Sequence, residues 1–539
     1  MKKVLKLLGL SVVSLVLLLF VLLSGRAILD QRIDYDVDLA GTEVPTFDTI
    51  ELQQEHSYSD ATSLPVTGGA AIDIDGDGVD EIFIGGGHGQ ADMLYQFNGS
   101  GFDVVPNAAG IDKPEGGASL GALVLDVDKD GQQDLIIARP TGIWLYSNNN
   151  GTFSGRKLDA PMLADTTPVS VAVADINGDG HFDMYVSGYI RNDLIEGLNI
   201  FNKEGYGGTS VLFINRGDDS FEDQTVERGL YYKHNTFQAA FIDFDLDGDL
   251  DLVVAHDTGQ VKTWENDGKG HFTDAPNPTS DEYTYPMGIA IGDYDNDGLV
   301  DFFFSNVGSS PPHFLVKGDL REDQQHNWKW LLFHNLGQMK FEDLAEEAKL
   351  ADYEFSWGAV FEDLNLDGRE DLVVSENFVS APFHKFRFMR LPGRLLVQTP
   401  AGEFAEVGAE AGVVNKRYSI SPVTADFNND GRPDIVHVNI AGRSQVFLSS
   451  GETRNGFLKV QLPRDVSSIG AMVTIELEDG KKLFRPYVSG EGLSSDSSHI
   501  IIVGLGAQRA NKVTVRYIDG RTVERDGPLR NQTVSFGLQ

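Results

Sequence analysis

Asp73-Ile74-Asp75-Gly76-Asp77-Gly78-Val79-Asp80-Glu81 decides the fold of this chain, because its chemistry recurs six more times. The other copies run Asp126 to Asp134, Asp175 to Asp183, Asp243 to Asp251, Asp293 to Asp301, Asp363 to Asp371 and Asp426 to Asp434, and each reads D-x-[DN]-x-D-G-x-x-[DE]. Oxygen side chains at positions 1, 3, 5 and 9, with glycine at 6 for a sharp bend, are what a short loop offers a hard cation of Ca2+ size. The expected ligands are Asp73, Asp75, Asp77 and Glu81; Asp126, Asp128, Asp130 and Asp134; Asp175, Asn177, Asp179 and Asp183; and Asp243, Asp245, Asp247 and Asp251. They continue with Asp293, Asp295, Asp297 and Asp301; Asp363, Asn365, Asp367 and Asp371; and Asp426, Asn428, Asp430 and Asp434, for up to seven Ca2+. Carboxylates packed this closely repel one another in an empty loop, and a divalent ion relieves that repulsion.

An EF-hand would place a bidentate glutamate at position 12 and a helix after it. Position 12 is Ile84, Ile137, Val186, Val254, Phe304, Val374 and His437, and runs such as Leu135-Ile136-Ile137 and Leu252-Val253-Val254 read as buried strands. The loops therefore belong to β-hairpins. One copy alone would be an ordinary Asp/Gly turn. Seven copies, with starts 53, 49, 68, 50, 70 and 63 residues apart, are a repeat architecture. Six intervals carry a strand, a turn and a phenylalanine: Phe102, Phe153, Phe221, Phe272, Phe341 and Phe404. The seventh repeat ends at Val446-Phe447-Leu448 without one, whereas Phe47-Asp48-Thr49-Ile50-Glu51-Leu52 stands unpartnered ahead of the first loop. A ring whose N-terminal strand completes the last blade accounts for both. The expected fold is all-β, a seven-bladed β-propeller of four-stranded blades over residues 45–450, closed so that no edge is exposed.

Residues 452–539 lack the aspartate loop and alternate as strands at Phe457 to Leu462, Ala471 to Leu477, Ile500 to Val503 and Lys512 to Tyr517, which predicts a small C-terminal β domain. The aspartate loops, with a Gly/Ala-rich strand before them as in Gly358-Ala359-Val360-Phe361-Glu362-Asp363, resemble the FG-GAP/VCBS repeats of integrin α-subunits and bacterial surface proteins. That resemblance implies propellers with Ca2+ in the hairpin loops. The C-terminal stretch resembles the ASPIC/UnbV domain through Ile469-Gly470-Ala471-Met472-Val473, Gly490-Glu491-Gly492, Ser494-Ser495 and Gly504-Leu505-Gly506. Asp496 and Tyr517-Ile518 depart from it, standing where that family often has a glutamine and a Trp-Pro pair. The combination is similar to the bacterial relatives of cartilage acidic protein.

The net charge of -38 argues against nucleic acid or an anionic lipid surface as partner, and seven bound Ca2+ would bring it to -24. No cysteine is present, so disulfides and thiolate metal sites are excluded. Met1-Lys2-Lys3 and Lys6 flank the apolar run Leu7 to Leu23, 17 residues long. Residues 1–30 are thus expected to be a signal anchor or signal peptide that exports the propeller to the periplasm or cell surface and contacts the membrane. No HExxH, GxSxG, Walker A or complete GxGxxG occurs, so no enzyme constellation is legible.

Three repeats carry insertions after the strand that leaves the loop: 188–210, 305–330 and 376–394. They should emerge at the face opposite the aspartate loops. Aromatic and basic residues there, Trp328, Trp330, Phe383, Phe386 and Arg387 foremost and Tyr189 among the rest, are the expected partner contacts in an acidic chain. The expected function is that of an exported, calcium-binding module that holds a protein or glycan at the cell envelope. Two alternatives stand beside it, an extracytoplasmic enzyme acting on polysaccharide and a structural assembly factor of the envelope.

Overall fold

Each aspartate nonapeptide forms the hairpin between the first two strands of an antiparallel sheet. The computed structural model describes residues 14–16, 18, 19, 35–58, 64–105, 111, 117–195, 205–217, 220–279, 282–308, 323–377 and 391–537. Among them are seven four-stranded sheets built from Thr46 to Ser450, numbered here 1 to 7 by the aspartate loop each contains. Their first strands are Gly69–Ile72, Gly121–Leu125, Thr166–Ala174, Thr236–Ile242, Ile289–Gly292, Ser356–Glu362 and Tyr418–Ala425. The second strand always starts on position 9, which pairs with the residue just before position 1, as Ile72 with Glu81, Leu125 with Asp134 and Ala425 with Asp434. These strands are buried along their whole length in sheets 1 to 5 and 7, which is why stretches such as Leu135-Ile136-Ile137 and Leu252-Val253-Val254 read as apolar runs. The six phenylalanines lie on the short fourth strands, for example Phe102–Val104, Phe272–Asp274 and Phe404–Glu406.

The seventh sheet takes its fourth strand from the start of the chain. Thr46–His56 pairs antiparallel with Gly442–Ser450, from Thr46 opposite Ser450 to His56 opposite Gly442, with one irregularity between Glu51 and Glu55. First strands of successive sheets touch in chain order, and Tyr418–Ala425 touches Gly69–Ile72. The Gly/Ala content of these strands follows from that proximity. A Cβ on Gly121 would lie 2.4 Å from the Val169 carbonyl oxygen of the next sheet, and one on Gly288 would lie 2.5 Å from the Gly358 Cα.

The C-terminal part folds into two sheets. Gly456–Gln461 is flanked by antiparallel Ile500–Gly506 and parallel Gln532–Ser535, and Met472–Leu477 lies between Lys482–Pro486 and Ala510–Arg516, with Thr522–Leu529 outermost. Leu458, Val473, Ile475, Val503, Val513 and Phe536 are wholly buried in its core.

Between Lys482–Pro486 and Ile500–Gly506, residues 490–498 leave this domain and enter the centre of the ring. A first strand has one edge that its own sheet leaves unpaired, and the entering segment supplies partners to those edges. The Asp496 backbone N–H donates to Gly69 O and its carbonyl accepts from Ala71 N, both at 3.0 Å. Ser494 O accepts from Ala122 N, Gly492 exchanges two backbone bonds with Ile289, and Ser498 N donates to Thr424 O. Leu493 N donates to Ser421 Oγ, and Ser494 N to Gln238 Oε1. First strands of sheets 1, 2, 4, 5 and 7 are thereby tied to one nine-residue segment. Leu493 is fully buried in a cluster with Phe237, Tyr285, Trp357 and Tyr418. The Asp496 carboxylate, 1% exposed, accepts from Val124 N and Gly490 N and faces His499 Nε2 at 3.2 Å.

Two measurements test this architecture. Deleting residues 1–57 removes the strand that pairs with Gly442–Ser450 and is expected to abolish the single cooperative thermal transition, whereas deleting 1–33 leaves it in place; equal melting of the two truncations would refute closure at this strand. Asp496→Ala strands two buried backbone donors and should lower stability in chemical denaturation on the order of 3 kcal/mol, with the loss carried by docking of the segment.

Candidate metal loops on the covered face

All seven loops share a backbone with two left-handed residues. Position 6 is glycine with φ between 84° and 96°, the bend the sequence demands. Position 4 is also left-handed, φ 58° to 77°, at Gly76, Lys129, Gly178, Leu246, Asn296, Leu366 and Asn429, a constraint no residue preference announced. In six loops the position 1 carboxylate braces this turn. Asp126 accepts from Asp130 N at 3.1 Å and Gly131 N at 2.9 Å, and Asp73, Asp175, Asp293, Asp363 and Asp426 make the same pair of bonds.

Position 9 is first a strut. Asp134 accepts from Val127 N, inside its own loop, and from Asn148 N on the third strand; Asp251, Asp371 and Asp434 repeat both bonds. The third strand then staples sheets together. Asn148, Asn266 and Asn335 donate Nδ2 to the carbonyls of Ile74, Ile176 and Phe244, each at position 2 of the preceding loop.

The carboxylates that converge are Asp73, Asp75 and Asp77; Asp126, Asp128 and Asp134; Asp243, Asp245 and Asp247; and Asp293, Asp295 and Asp297, one oxygen from each lying within 4.8 Å of the others. Asp179, Asp367 and Asp430 complete loops whose third position is Asn177, Asn365 or Asn428, and there the side-chain carbonyl turns inward to accept the position 5 N–H. Two residues the repeat pattern did not single out join these sets. His334 Nδ1 comes from the third strand to 3.3 Å from Asp295 and 3.4 Å from Asp301, and Asp249 adds a further carboxylate to the fourth loop.

The donor set fits a hard divalent cation. It is all oxygen save His334, and several buried oxygens lack a hydrogen-bond partner: Asp183 Oδ2, Asp301 Oδ2, Asp249 Oδ1 and both oxygens of Asp243. Burial, reinforced by neighbouring carboxylates, pushes Asp134 and Asp183 up to about 7 and Glu81 and Asp251 up to about 8. A bound cation offsets both costs.

The C-terminal domain sits on this face and brings bases to it. Arg464 Nη2 donates to Asp73 Oδ2 at 2.6 Å, with both side chains at least nine-tenths buried. Lys459 pairs with Asp426, Arg516 lies 3.9 Å from Asp243, and Gly504 N donates to Asp363 Oδ2. Arg464 O accepts from Asp126 N, and Arg485 Nη1 reaches Asn296 Oδ1 in the fifth loop. Six of the seven loops therefore touch this domain.

The expected partner contacts fare differently. Trp330 is not a surface residue: it is fully buried against Phe303 and Tyr353, with its indole N–H donated to Glu354 O. Its two apolar neighbours Leu331 and Leu332 open a core strand, which draws the ring inward. Tyr189 is likewise buried beside Phe237 with its hydroxyl on Asp257. Trp328 is half-buried, edge-on to His326. Phe383, Phe386 and Arg387 lie outside the described residues, as does most of the apolar run from Leu7 to Leu23. No helix among the described residues is long and apolar enough to cross a membrane.

Comparison with known proteins agrees with this architecture. The FG-GAP-like repeat matches residues 126–186 and 243–304, and the ASPIC and UnbV model matches 463–537, so the chain carries FG-GAP repeats followed by an ASPIC/UnbV domain. It is 24% identical over 498 residues to cartilage acidic protein 1 of Xenopus tropicalis, covering 85% of this chain and 71% of that protein. The human protein is 25% identical over 448 residues, covering 79% of this chain and 61% of its own length. Among solved structures, the BP39L lectin from Burkholderia pseudomallei aligns with a TM-score of 0.45 at 10% identity, over 72% of this chain and 98% of that one. Rhamnogalacturonan lyase PL11 from Bacillus licheniformis aligns with a TM-score of 0.40 at 11% identity, over 76% of each chain.

If the loops hold cations, Ca2+ should raise the melting temperature and excess EDTA should lower it, while Zn2+ and Cu2+ substitute poorly at loops whose donors, His334 apart, are all oxygen. Metal analysis that finds no Ca2+, together with melting unaffected by EDTA, would sink the assignment.

Proposed function

We propose that this chain is an exported, Ca2+-stabilised seven-bladed β-propeller that acts as a protein- or glycan-binding module at the cell envelope, held near the membrane by its N-terminal apolar segment. The carrying observation is how the two faces are used. The aspartate face is consumed within the molecule, its loops covered by the C-terminal domain and its centre filled by residues 490–498. What remains for a partner is the opposite face, toward which the second strands run before the connections 188–210, 305–330 and 376–394. A metal-stiffened ring whose second strands lead into long connections suits recognition, and the absence of any legible catalytic motif in the sequence favours binding over turnover.

Up to seven Ca2+ would be held by the position 1, 3, 5 and 9 oxygens. Their role there is to neutralise the loops and stiffen the hairpins, and the partner is read by the connections. The densest aromatic and basic group in the sequence, Phe383-His384-Lys385-Phe386-Arg387-Phe388-Met389-Arg390, falls in the third connection.

The test is a pulldown from envelope extract in Ca2+, paired with a glycan and peptide array. Replacing Trp328, Phe386 and Arg387 by alanine should abolish recovery of the partner while Ca2+-dependent melting stays as in the parent. Recovery unchanged by the triple variant would remove these connections from the binding site.

A further inference from the structure

Among the described residues, one converging group is not built of carboxylates alone. Asp295 and Asp301, positions 3 and 9 of the fifth loop, meet His334 from the third strand of the same sheet, with one donor atom of each within 4.8 Å of the others. His334 Nδ1 stands 3.3 Å from Asp295 Oδ2 and 3.4 Å from Asp301 Oδ1. Neither approach is a hydrogen bond, and Nδ1 is a buried atom without a hydrogen-bond partner. Donors held in a tetrahedron about 2.0 to 2.1 Å from one ion lie about 3.3 Å from each other. The separations are those of ligands to a shared small cation.

Asp301 supplies a second, independent mark. Its side chain is fully buried, and Oδ1 accepts from Asn335 N at 2.8 Å. In the second, fourth, sixth and seventh loops the other oxygen of position 9 accepts from the position 2 N–H. In the fifth, Oδ2 has no hydrogen-bond partner. A buried carboxylate oxygen released from the strut its counterparts make is costly unless something else binds it.

The register of the sheets sets His334 apart. It follows Phe333, which pairs with Phe302, the residue after position 9. The same register puts Gln96, Ser147, Ile214, Glu265, Val397 and Leu448 at this place in the other six sheets. None of them carries an imidazole.

We infer that the fifth loop takes a first-row transition ion of the Zn2+ class in preference to Ca2+, held by His334, Asp295 and Asp301. The inference rests on the reading of the aspartate loops as cation sites and changes which ion one of them selects. Imidazole is a good ligand for Zn2+, whereas Ca2+ takes oxygen, so one histidine shifts the preference of a loop otherwise like its neighbours.

The test loads the metal-stripped full chain with Ca2+ in excess and a small amount of Zn2+, dialyses it and counts both metals. One Zn2+ per chain should remain against the excess of Ca2+. His334→Gln should lose that Zn2+ while melting in Ca2+ as the parent does. His334→Asp, which makes the set all oxygen, should bind one Ca2+ more and no Zn2+. Co2+ in place of Zn2+ should give the parent a visible absorption band that His334→Gln lacks. Asp128→Asn, in the second loop, should lose Ca2+ and keep the Zn2+. A parent that retains no Zn2+, or His334→Gln that retains as much as the parent, overturns the assignment and leaves His334 as a counter-ion to Asp295 and Asp301. Zn2+ held through His334 in a chain that binds no Ca2+ would support it and strike instead at the Ca2+ reading of the other loops.

Discussion

Repulsion among carboxylates crowded onto one face of the ring is the constraint around which this molecule is organised. The position 1 and position 9 side chains cannot be dispensed with, because they tie each hairpin to its own backbone and to the third strand. Bracing by carboxylates concentrates negative charge wherever the hairpins gather, and a ring gathers all of them on one side. Backbone N–H groups absorb part of that charge. Buried bases from the C-terminal domain, Arg464 on Asp73 and Lys459 on Asp426, absorb more. Asp183 Oδ2 in the third loop, both Asp243 oxygens and Asp249 Oδ1 in the fourth and Asp301 Oδ2 in the fifth are buried without a hydrogen-bond partner, with Arg516 no nearer than 3.9 Å to Asp243.

The second demand comes from the backbone. Four-stranded sheets arranged in a ring leave two kinds of open edge, one where the ring must close and one along the inner strands. Thr46–His56 meets the first by pairing with Gly442–Ser450. Residues 490–498 meet the second, with Gly492 exchanging bonds with Ile289 and Asp496 bonded to Gly69 and Ala71. The domain that follows the ring in the chain thus supplies part of the ring's interior, and its removal would uncover inner-strand edges and loop carboxylates together.

Much of this was legible beforehand. Hairpins rather than helices after each loop followed from β-branched and aromatic residues at positions 10 to 12, and closure by Phe47 to Leu52 followed from counting phenylalanine strands against aspartate loops. Which aromatics of the connections reach the surface was not legible, because an aromatic in a connection looks the same in sequence whether it faces solvent or folds back. Trp330 precedes Leu331 and Leu332 on a core strand and went inward with them, against Phe303 and Tyr353. His334 and Asp249 could not be assigned to their loops, since neither stands at a repeated position.

The sequence by itself determined the repeat, the hairpins, the all-β class and the oxygen-rich chemistry of the loops, since each depends on residues within nine positions of one another or on a period written along the chain. Only the tertiary structure decided which carboxylates keep free oxygens, which receive Arg464 or Lys459, and that Gly490-Glu491-Gly492 with Asp496 belongs at the centre of the ring. Those outcomes join residues hundreds of positions apart, such as Asp73 with Arg464 and Gly69 with Asp496. Burial and proximity set them, and neither has a local signature.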